Sequence, residues 1–427
     1  MIKRSFFGLA KPVLEYDALD VTAPEPTIIP VSKKVTLFID QAYNFKDSIL
    51  FKTGDKVNAG QKLVYSASSN AYTVSTVTGT ISSIAAFAGD YGKAYTAVSI
   101  DVDEHEESDD QFKALIAEPT LDIAANFLAG VPGKPCFNTF ADPDKPIHTI
   151  VICGVDRDLL MTTNQSVLKS NIDAVKRGVR ILKKITGIEK ILMAVPQHLS
   201  LEAAGSGAQV MTVNSEFPAT LPHIMMQTLL GQIVPAGQSC ADMGVCFISA
   251  EAVASIGTAF DQGRIPYYKT ITFINKNGEQ SLISARIGTP VGDILNAFNV
   301  TLKEKDRIIF GGPMTGAAVY STDYPVQADT DAIMVQDIDT IPLVSDYPCI
   351  NCGECIRICP ANVPINILVR FLEAGEYEAA ADQYDLYSCI ECGLCSYVCV
   401  SRMPVLHYIK LAKYELGRMI TAEATNA

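Results

Sequence analysis

Eight of the twelve cysteines in this chain fall in two runs near its C-terminal end: Cys349, Cys352, Cys355 and Cys359, followed by Pro360, and then Cys389, Cys392, Cys395 and Cys399. Each run has the form Cys-x2-Cys-x2-Cys-x3-Cys. Thiolates at this spacing are ligands of iron–sulfur cubanes: three from one run curl around one cubane, while the fourth, expected to start a helix, points at the other. The resulting sets are Cys349, Cys352, Cys355 and Cys399 for cluster 1, and Cys389, Cys392, Cys395 and Cys359 for cluster 2. Two 4Fe-4S clusters tied together by crossed ligation sit near each other, as a relay for single electrons requires.

Other uses of these cysteines fit less well. A structural zinc site takes two pairs of ligands, whereas here three cysteines plus a fourth recur twice with no histidine at ligand spacing. Disulfides are disfavoured because a chain of this size builds its own core and shows no secretory signal. Haem attachment is excluded, since no Cys-x-x-Cys is followed by His. The second run ends Cys399-Val400 where many such runs have Cys-Pro. Proline there shapes the turn and binds no iron, so the cluster is expected to survive its absence.

The chain has 427 residues, 48% of them apolar, enough for two to four globular domains with buried cores. A net charge of −13 and a pI near 4.9 argue against nucleic acid or anionic lipid and favour a basic carrier protein or a basic docking face. Lys11 ends the apolar stretch Ser5–Ala10 too early for a signal peptide. The longest apolar segment, Gly244 to Phe260, is interrupted by Glu251 and reads as a buried helix with no membrane span. These features together describe a soluble, intracellular chain in a reducing compartment.

The elements around the cysteines can be placed from pattern. After an N-terminal segment, 1–27, short strands separated by Gly-rich turns fill 28–103. There Thr53–Gln61 and Val77–Ile81 look like the hammerhead (barrel-sandwich hybrid) of biotinyl and lipoyl carriers. No lysine lies between Val64 and Ile81 to carry a swinging arm, so the module reads as docking or structural. The acidic run Asp103–Asp110 reads as a solvated linker or loop. Within 120–262, a strand at Thr149–Cys153, a helix over Asn164–Thr186 and a strand at Lys190–Val195 imply a parallel, Rossmann-like sheet. Over 263–335, a hairpin turning at Asn275–Gly278 and a helix start at Pro290 suggest a β-grasp module. The remainder, 340–416, is mostly helical, with aliphatic stripes over Pro364–Ala381 and Val405–Leu416, followed by a tail, 417–427. The fold class is therefore multidomain α/β with an α-helical two-cluster ferredoxin domain.

Taken together these segments resemble the RnfC component of the Rnf electron-transport complex. The resemblance rests on Gly54-Asp55 through Gly60-Gln61 and Thr78–Thr80, on Ala241–Val245, on Gly263–Pro266, on Gly288–Val291 and Gly311–Gly316 of a soluble-ligand-binding β-grasp (SLBB) region, and on Ser388–Gly393. It implies a cytoplasmic protein, peripheral on the inner (cell) membrane, docked on other subunits of a membrane redox complex and exchanging electrons with ferredoxin or another protein carrier. A more distant similarity is to the NqrA component of the sodium-pumping NADH:quinone reductase, which carries no such double cysteine set.

One departure from the family concerns the flavin. Members that oxidise NADH carry Gly-x-Gly-Gly-x-Gly-Phe-Pro-Thr, whose bare amides approach the FMN phosphate and the nucleotide. The matching stretch here runs from Gly130 through Gly133 and Lys134 to Phe140, with Pro132 and Pro135 removing amide donors. The usual Glu-Cys-Glu-Pro has become Val155-Asp156-Arg157-Asp158. FMN retention and NADH oxidation are accordingly disfavoured, and an electron relay is preferred over an NADH dehydrogenase module or an architectural adaptor with structural clusters. Gly311–Gly316 lacks a P-loop lysine and reads as a tight turn. Cys136, Cys153, Cys240 and Cys246, dispersed in the sequence, read as buried structural thiols. The five histidines form no hydrolase pattern with Ser, Cys or carboxylates.

Overall fold

The computed structural model describes residues 11–19, 25–44, 47–89, 93–341, 344–345 and 347–426; the stretch Ser5–Ala10 lies outside them. No helix among them is long and apolar enough to cross a membrane. The architecture is mixed α/β, with the cysteine runs in a helical unit at the C-terminal end.

In the first module the strands Lys34–Ile39, Ala94–Val102, Gly79–Ala88 and Lys56–Val57 form an antiparallel sheet in that order, beside a small hairpin of Lys62–Val64 with Tyr72–Val74. Period-2 alternation puts Val35, Leu37 and Ile39 inward against Val98 and Ile100. The acidic run after this sheet is less free than its composition implies. Its side chains face water, yet Glu107 N–H donates to Thr78 Oγ1 (2.8 Å), Asp109 N–H to the Ala59 carbonyl (2.7 Å), and Glu106 pairs with Arg286 (2.8 Å).

The second module is a four-stranded parallel sheet in the order Gln209–Val213, Ile191–Pro196, Thr149–Cys153, Val245–Ser249, with helices on its faces. Thr149–Cys153 is buried along its whole length, as a central parallel strand must be. Two sequence expectations are corrected here. The helix expected over Asn164–Thr186 is two helices, Thr163–Ser170 and Ile172–Thr186, meeting at Asn171. The apolar segment Gly244–Phe260 is a strand, Val245–Ser249, followed by a helix, Ala250–Gln262. A fully buried strand and a buried helix look alike by periodicity; Ser249 makes the change, its Oγ accepting the Ala252 N–H to cap the helix.

In the third module a hairpin, Tyr268–Ile274 with Gln280–Arg286, precedes the helix Val291–Ala297, and Ala332–Gln336 returns parallel to Tyr268–Ile274. Lys269, fully buried, pairs with Glu251 of the preceding module and with Asp331 (2.8 Å), so an ion cluster stitches the two modules together. The N-terminal residues complete the assembly. Tyr16 N–H donates to the Ser215 carbonyl (2.9 Å) and Phe217 N–H to the Leu14 carbonyl (2.7 Å), laying this segment across the C-terminal edge of the parallel sheet.

The helical unit contains Glu354–Ile358, Ile365–Ala374, Tyr377–Gln383, Leu394–Val398 and Val405–Asn426. The stripe over Pro364–Ala381 is interrupted at Gly375, a left-handed C-cap. The last helix runs past residue 416, through what the sequence suggested was a tail.

Candidate metal centre

The two cysteine runs fold as copies of one motif. Asn351 and Glu391 (φ 57° and 56°) and Gly353 and Gly393 (φ 76° and 80°) are left-handed at matching places, just before and just after the second cysteine of each run. Each pair turns the chain so that the next residues form a five-residue helix, Glu354–Ile358 or Leu394–Val398. The fourth cysteine closes that helix in an extended conformation, where a helix start was expected; the next helix begins only at Ile365 or Val405. The backbone must leave the helix for the thiol of Cys359 or Cys399 to swing to the opposite set. Val400 in place of proline changes nothing in this turn, since Arg402 N–H bonds the Cys399 carbonyl (3.1 Å) as Asn362 N–H bonds that of Cys359 (3.3 Å).

Cys349, Cys352, Cys355 and Cys399 line one cavity, floored by Ile365, Val369 and Met403. Asn351 N–H points at Cys349 Sγ (3.4 Å) and Met403 N–H at Cys399 Sγ (3.5 Å), and such amide donors tune cluster potentials. Burial first, then the neighbouring Cys349 and Cys352, push the Cys355 thiol up to about 11. In the other group, burial and the charges of Cys389 and Cys359 push Cys392 up to about 12, and Glu391 N–H points at Cys389 Sγ (3.4 Å). Thiols so raised keep their protons at neutral pH unless a cation draws them out as thiolates, and the donor set fits a cationic iron–sulfur core. Among the described residues no three His, Cys, Asp or Glu side chains converge as ligands of a single ion would. Thiolates on separate irons of a cubane stand farther apart than the ligands of one zinc, and a ring around a cavity suits them.

The two groups differ in surroundings. Cys352 is exposed and flanked by exposed Tyr347 and Ile350, whereas Cys359, Cys392 and Cys395 are buried. The buried group packs through Cys392 and Leu394 against Leu14, Tyr16, Phe217 and Met314 of the other modules. Gly393 is required there: a Cβ on it would lie 2.4 Å from the Met314 carbonyl oxygen. The Gly311–Gly316 turn that brings Met314 to this place is structural, as its sequence suggested. The Asp158 carboxylate accepts hydrogen bonds from the Met314 and Thr315 amides (3.1 and 2.7 Å) and from Thr315 Oγ1 (2.7 Å), and Lys410 Nζ donates to the Thr315 carbonyl (3.0 Å).

The loop over Gly130, Gly133 and Lys134 packs on the protein at Gly133, while Lys134 lines a cavity of about 330 Å³ with Arg157, Asp158 and Asp329. Gly133 (φ +85°) presses so close to the helix Ala250–Gln262 that a Cβ would sit 2.3 Å from the Ala252 nitrogen. Its carbonyl accepts from Ser249 Oγ (3.3 Å), the Pro132 carbonyl accepts from Ser255 Oγ (3.0 Å), and Lys134 is paired with Asp329 (2.9 Å). A helix N-terminus that could face a phosphate is thus capped by Ser249 and covered by the loop. Asp156, buried and raised to about 6 by that burial, accepts from the Asn164 amide (2.8 Å) and Gln165 Nε2 (3.0 Å).

Two features were missed at the sequence level. A cavity of about 550 Å³ lies at the C-terminal edge of the parallel sheet, between Tyr16, Asp156, His198 and Asn214. It depends on the N-terminal segment, whose docking leaves no local signal. The second is a pairing among the cysteines outside the runs: Cys136 Sγ lies 3.3 Å from Cys246 Sγ, and Cys136 is exposed, so these thiols, dispersed in the sequence, are not all buried.

Comparison with known proteins agrees with this architecture. Residues 341–400 match a 4Fe-4S dicluster domain, and residues 132–265 match the second alpha/beta domain of NqrA. The C component of the proton-translocating ferredoxin:NAD(+) oxidoreductase complex of Clostridium ljungdahlii is 28% identical over 93% of this chain and 92% of its own length. The chain resembles the RnfC proteins of the Rnf complexes. Among other Rnf relatives, the C component of the Na(+)-translocating ferredoxin:NAD(+) oxidoreductase complex of Acetobacterium woodii is 26% identical over 53% of each chain. The C component of the ion-translocating oxidoreductase complex of Rhodobacter capsulatus is 26% identical over 55% of this chain and 47% of its own. The chain thus spans nearly all of the first of these relatives and about half of the other two.

Proposed function

We propose that this chain is the peripheral electron-transfer subunit of a membrane-associated Rnf-type redox complex. In this reading Cys349, Cys352, Cys355 and Cys399 hold one 4Fe-4S cluster and Cys389, Cys392, Cys395 and Cys359 a second. The observation that carries it is the cavity ringed by cysteines from both runs, Cys399 closing a set begun fifty residues upstream at Cys349. Each cluster, when bound, supplies a site that accepts and passes on one electron. The chain's own residues set the surroundings of each cluster site. Cys352, Tyr347 and Ile350 offer an exposed edge to a partner protein, ferredoxin or another carrier, while Cys392 and Leu394 seat the second set against Tyr16 and Phe217. The amides of Asn351, Glu391 and Met403 stabilise thiolate charge.

The β modules at 28–103 and 263–335 are assigned as hammerhead and SLBB β-grasp domains, the second supported by its hairpin, helix and returning parallel strand. The Rossmann-like domain over 120–262 and the ferredoxin-type domain over 340–416 complete the division. In the cell we place the chain on the cytoplasmic side of the membrane, held by other subunits. The packing of Gly133 on the helix Ala250–Gln262, Pro132 and Pro135 without amide donors, and the engaged carboxylates of Asp156 and Asp158 disfavour FMN binding and NADH oxidation by this chain.

Iron and acid-labile sulfide of the anaerobically purified protein test the reading. About eight irons per chain are expected for two cubanes, with no flavin released by acid and no bleaching by NADH. Zinc in place of iron would overturn the electron-transfer role; a released flavin with bleaching by NADH would replace it with the dehydrogenase reading.

A further inference from the structure

Cys136 and Cys246 are separated by 110 positions, yet their sulfurs stand 3.3 Å apart. Cys136 is exposed on the loop that follows Lys134, whereas Cys246 is buried in the strand Val245–Ser249. A bonded pair requires a separation of about 2.0 Å, so bridging asks for a movement of little more than 1 Å. Flanking residues hold the loop in register for it: Phe137 and Val131 are buried, and Gly133 is wedged against Ala252. The thiols also divide the work. The contact between the two thiols, helped by Thr139 and by the Arg157 guanidinium, lowers Cys136, while the same contact and burial raise Cys246. Cys136, the exposed thiol, is the nucleophile and the buried Cys246 the resolving thiol.

We propose that Cys136 and Cys246 form a reversible thiol–disulfide switch, oxidised by small-molecule disulfides, that latches the 130–140 loop to the parallel sheet. The Cys136 thiolate attacks one sulfur of the small disulfide, forming a mixed disulfide and expelling one small thiolate, which takes up a proton. Cys246, losing its proton, attacks Cys136 Sγ; the intramolecular bond forms and the second small thiol leaves. The protein loses two electrons and two protons, and the small disulfide is reduced to two thiols. A reducing compartment opposes a permanent bridge and suits a transient, sensing one. The latched loop carries Lys134, whose partner Asp329 belongs to the third module, so oxidation stiffens the seam between modules.

The test uses iron-loaded protein under anaerobic conditions, equilibrated with glutathione disulfide, alkylated and mapped by peptide mass spectrometry. A Cys136–Cys246 bridge that dithiothreitol reverses is expected, with loss of Cys136 labelling and iron content unchanged. Cys246→Ser is expected to stop at a glutathione adduct on Cys136, and Cys136→Ser to leave Cys246 unmodified. Wild-type Cys136 that stays free, that stops as a stable adduct, or that bridges to Cys153 or Cys240 would overturn the proposal. The wild-type map decides the matter even where a serine variant fails to fold.

Discussion

Replacing Lys269 with methionine should reveal how strongly the second and third modules depend on one buried cation. Lys269 is fully buried, and its Nζ meets Glu251, Asp331 Oδ1 (2.8 Å) and the Thr270 carbonyl (2.8 Å), while Glu251 Oε1 also accepts the Thr270 amide (2.8 Å). Methionine keeps most of the side chain's volume and removes the charge together with its hydrogen bonds. Glu251, itself buried, then keeps a carboxylate without its counter-ion, and breaking such a pair from one side costs about 3–5 kcal/mol. The joined modules span roughly 200 residues, a size at which each kcal/mol moves Tm by about 2–4 °C, so a fall of roughly 10 °C is expected. The pH dependence has a definite sign. Burial raises Glu251 above its ordinary 4.5 even with Lys269 present, and loss of the cation raises it further. A folded-state value above the unfolded one means that the protonated carboxyl stabilises the native state. The deficit should therefore be smallest below about pH 4.5 and grow as pH rises through the folded value. Anaerobic calorimetry with far-UV circular dichroism reads this, the chain having no tryptophan. Adding Glu251→Gln should restore part of the loss at pH 7. A variant within about 1 kcal/mol of wild type, or a deficit flat in pH, would refute the idea that a buried charge pair holds this seam.

Three further outcomes follow from the geometry. Gly393→Ala places a Cβ 2.4 Å from the Met314 carbonyl and should cost about half of the roughly eight irons expected for two cubanes, whereas Gly353→Ala, equally left-handed but with nothing within 4 Å, should keep them and lose only about 1–2 kcal/mol of backbone energy; iron analysis of both variants compares them. Asp156, raised by burial from 3.8 to about 6, contributes stability below pH 4 that is lost as pH rises through 6; Asp156→Asn should flatten that part of the stability profile in denaturant titrations at several pH values. Asp158→Ala strands the Met314 and Thr315 amides and should cost about 1–3 kcal/mol, with faster amide exchange at residues 311–316 by mass spectrometry.

What was legible in the sequence was whatever rests on local spacing. The cysteine runs announce their chemistry because three of the four ligands in each proposed set are neighbours in the chain. The strand Thr149–Cys153, the hairpin at Asn275–Gly278 and the turn at Gly311–Gly316 are likewise decided by residues next to one another. Failures came where the deciding contact is distant or the pattern ambiguous. The apolar run from Gly244 to Phe260 could be read as one helix because burial on all sides erases both periodicities, and only the cap at Ser249 divides it. The role of Cys359 and Cys399 as helix ends depends on the opposite run. Nothing local announces that Cys136 meets Cys246, or that the segment around Tyr16 crosses the sheet edge to reach Cys392.

The same contrast explains the loop at Gly130. In a flavin site, a glycine-rich loop, a helix N-terminus and nearby carboxylates would all leave their polar groups facing an open space. Here Gly133 and Asp158 are engaged by the protein itself, while Lys134 stays exposed beside a cavity of about 330 Å³. Gly133 covers the helix N-terminus capped by Ser249, Lys134 answers Asp329, and Asp158 organises the turn that carries Met314 to Gly393. Buried polar groups left without partners are expensive, so these contacts stabilise the loop. The Asp158 carboxylate fixes the contact between the third module and the second cysteine run. The architecture is in this way directed toward holding the cysteine sets in place, and in the proposed relay Cys352 is the exposed edge through which electrons would reach or leave the buried group.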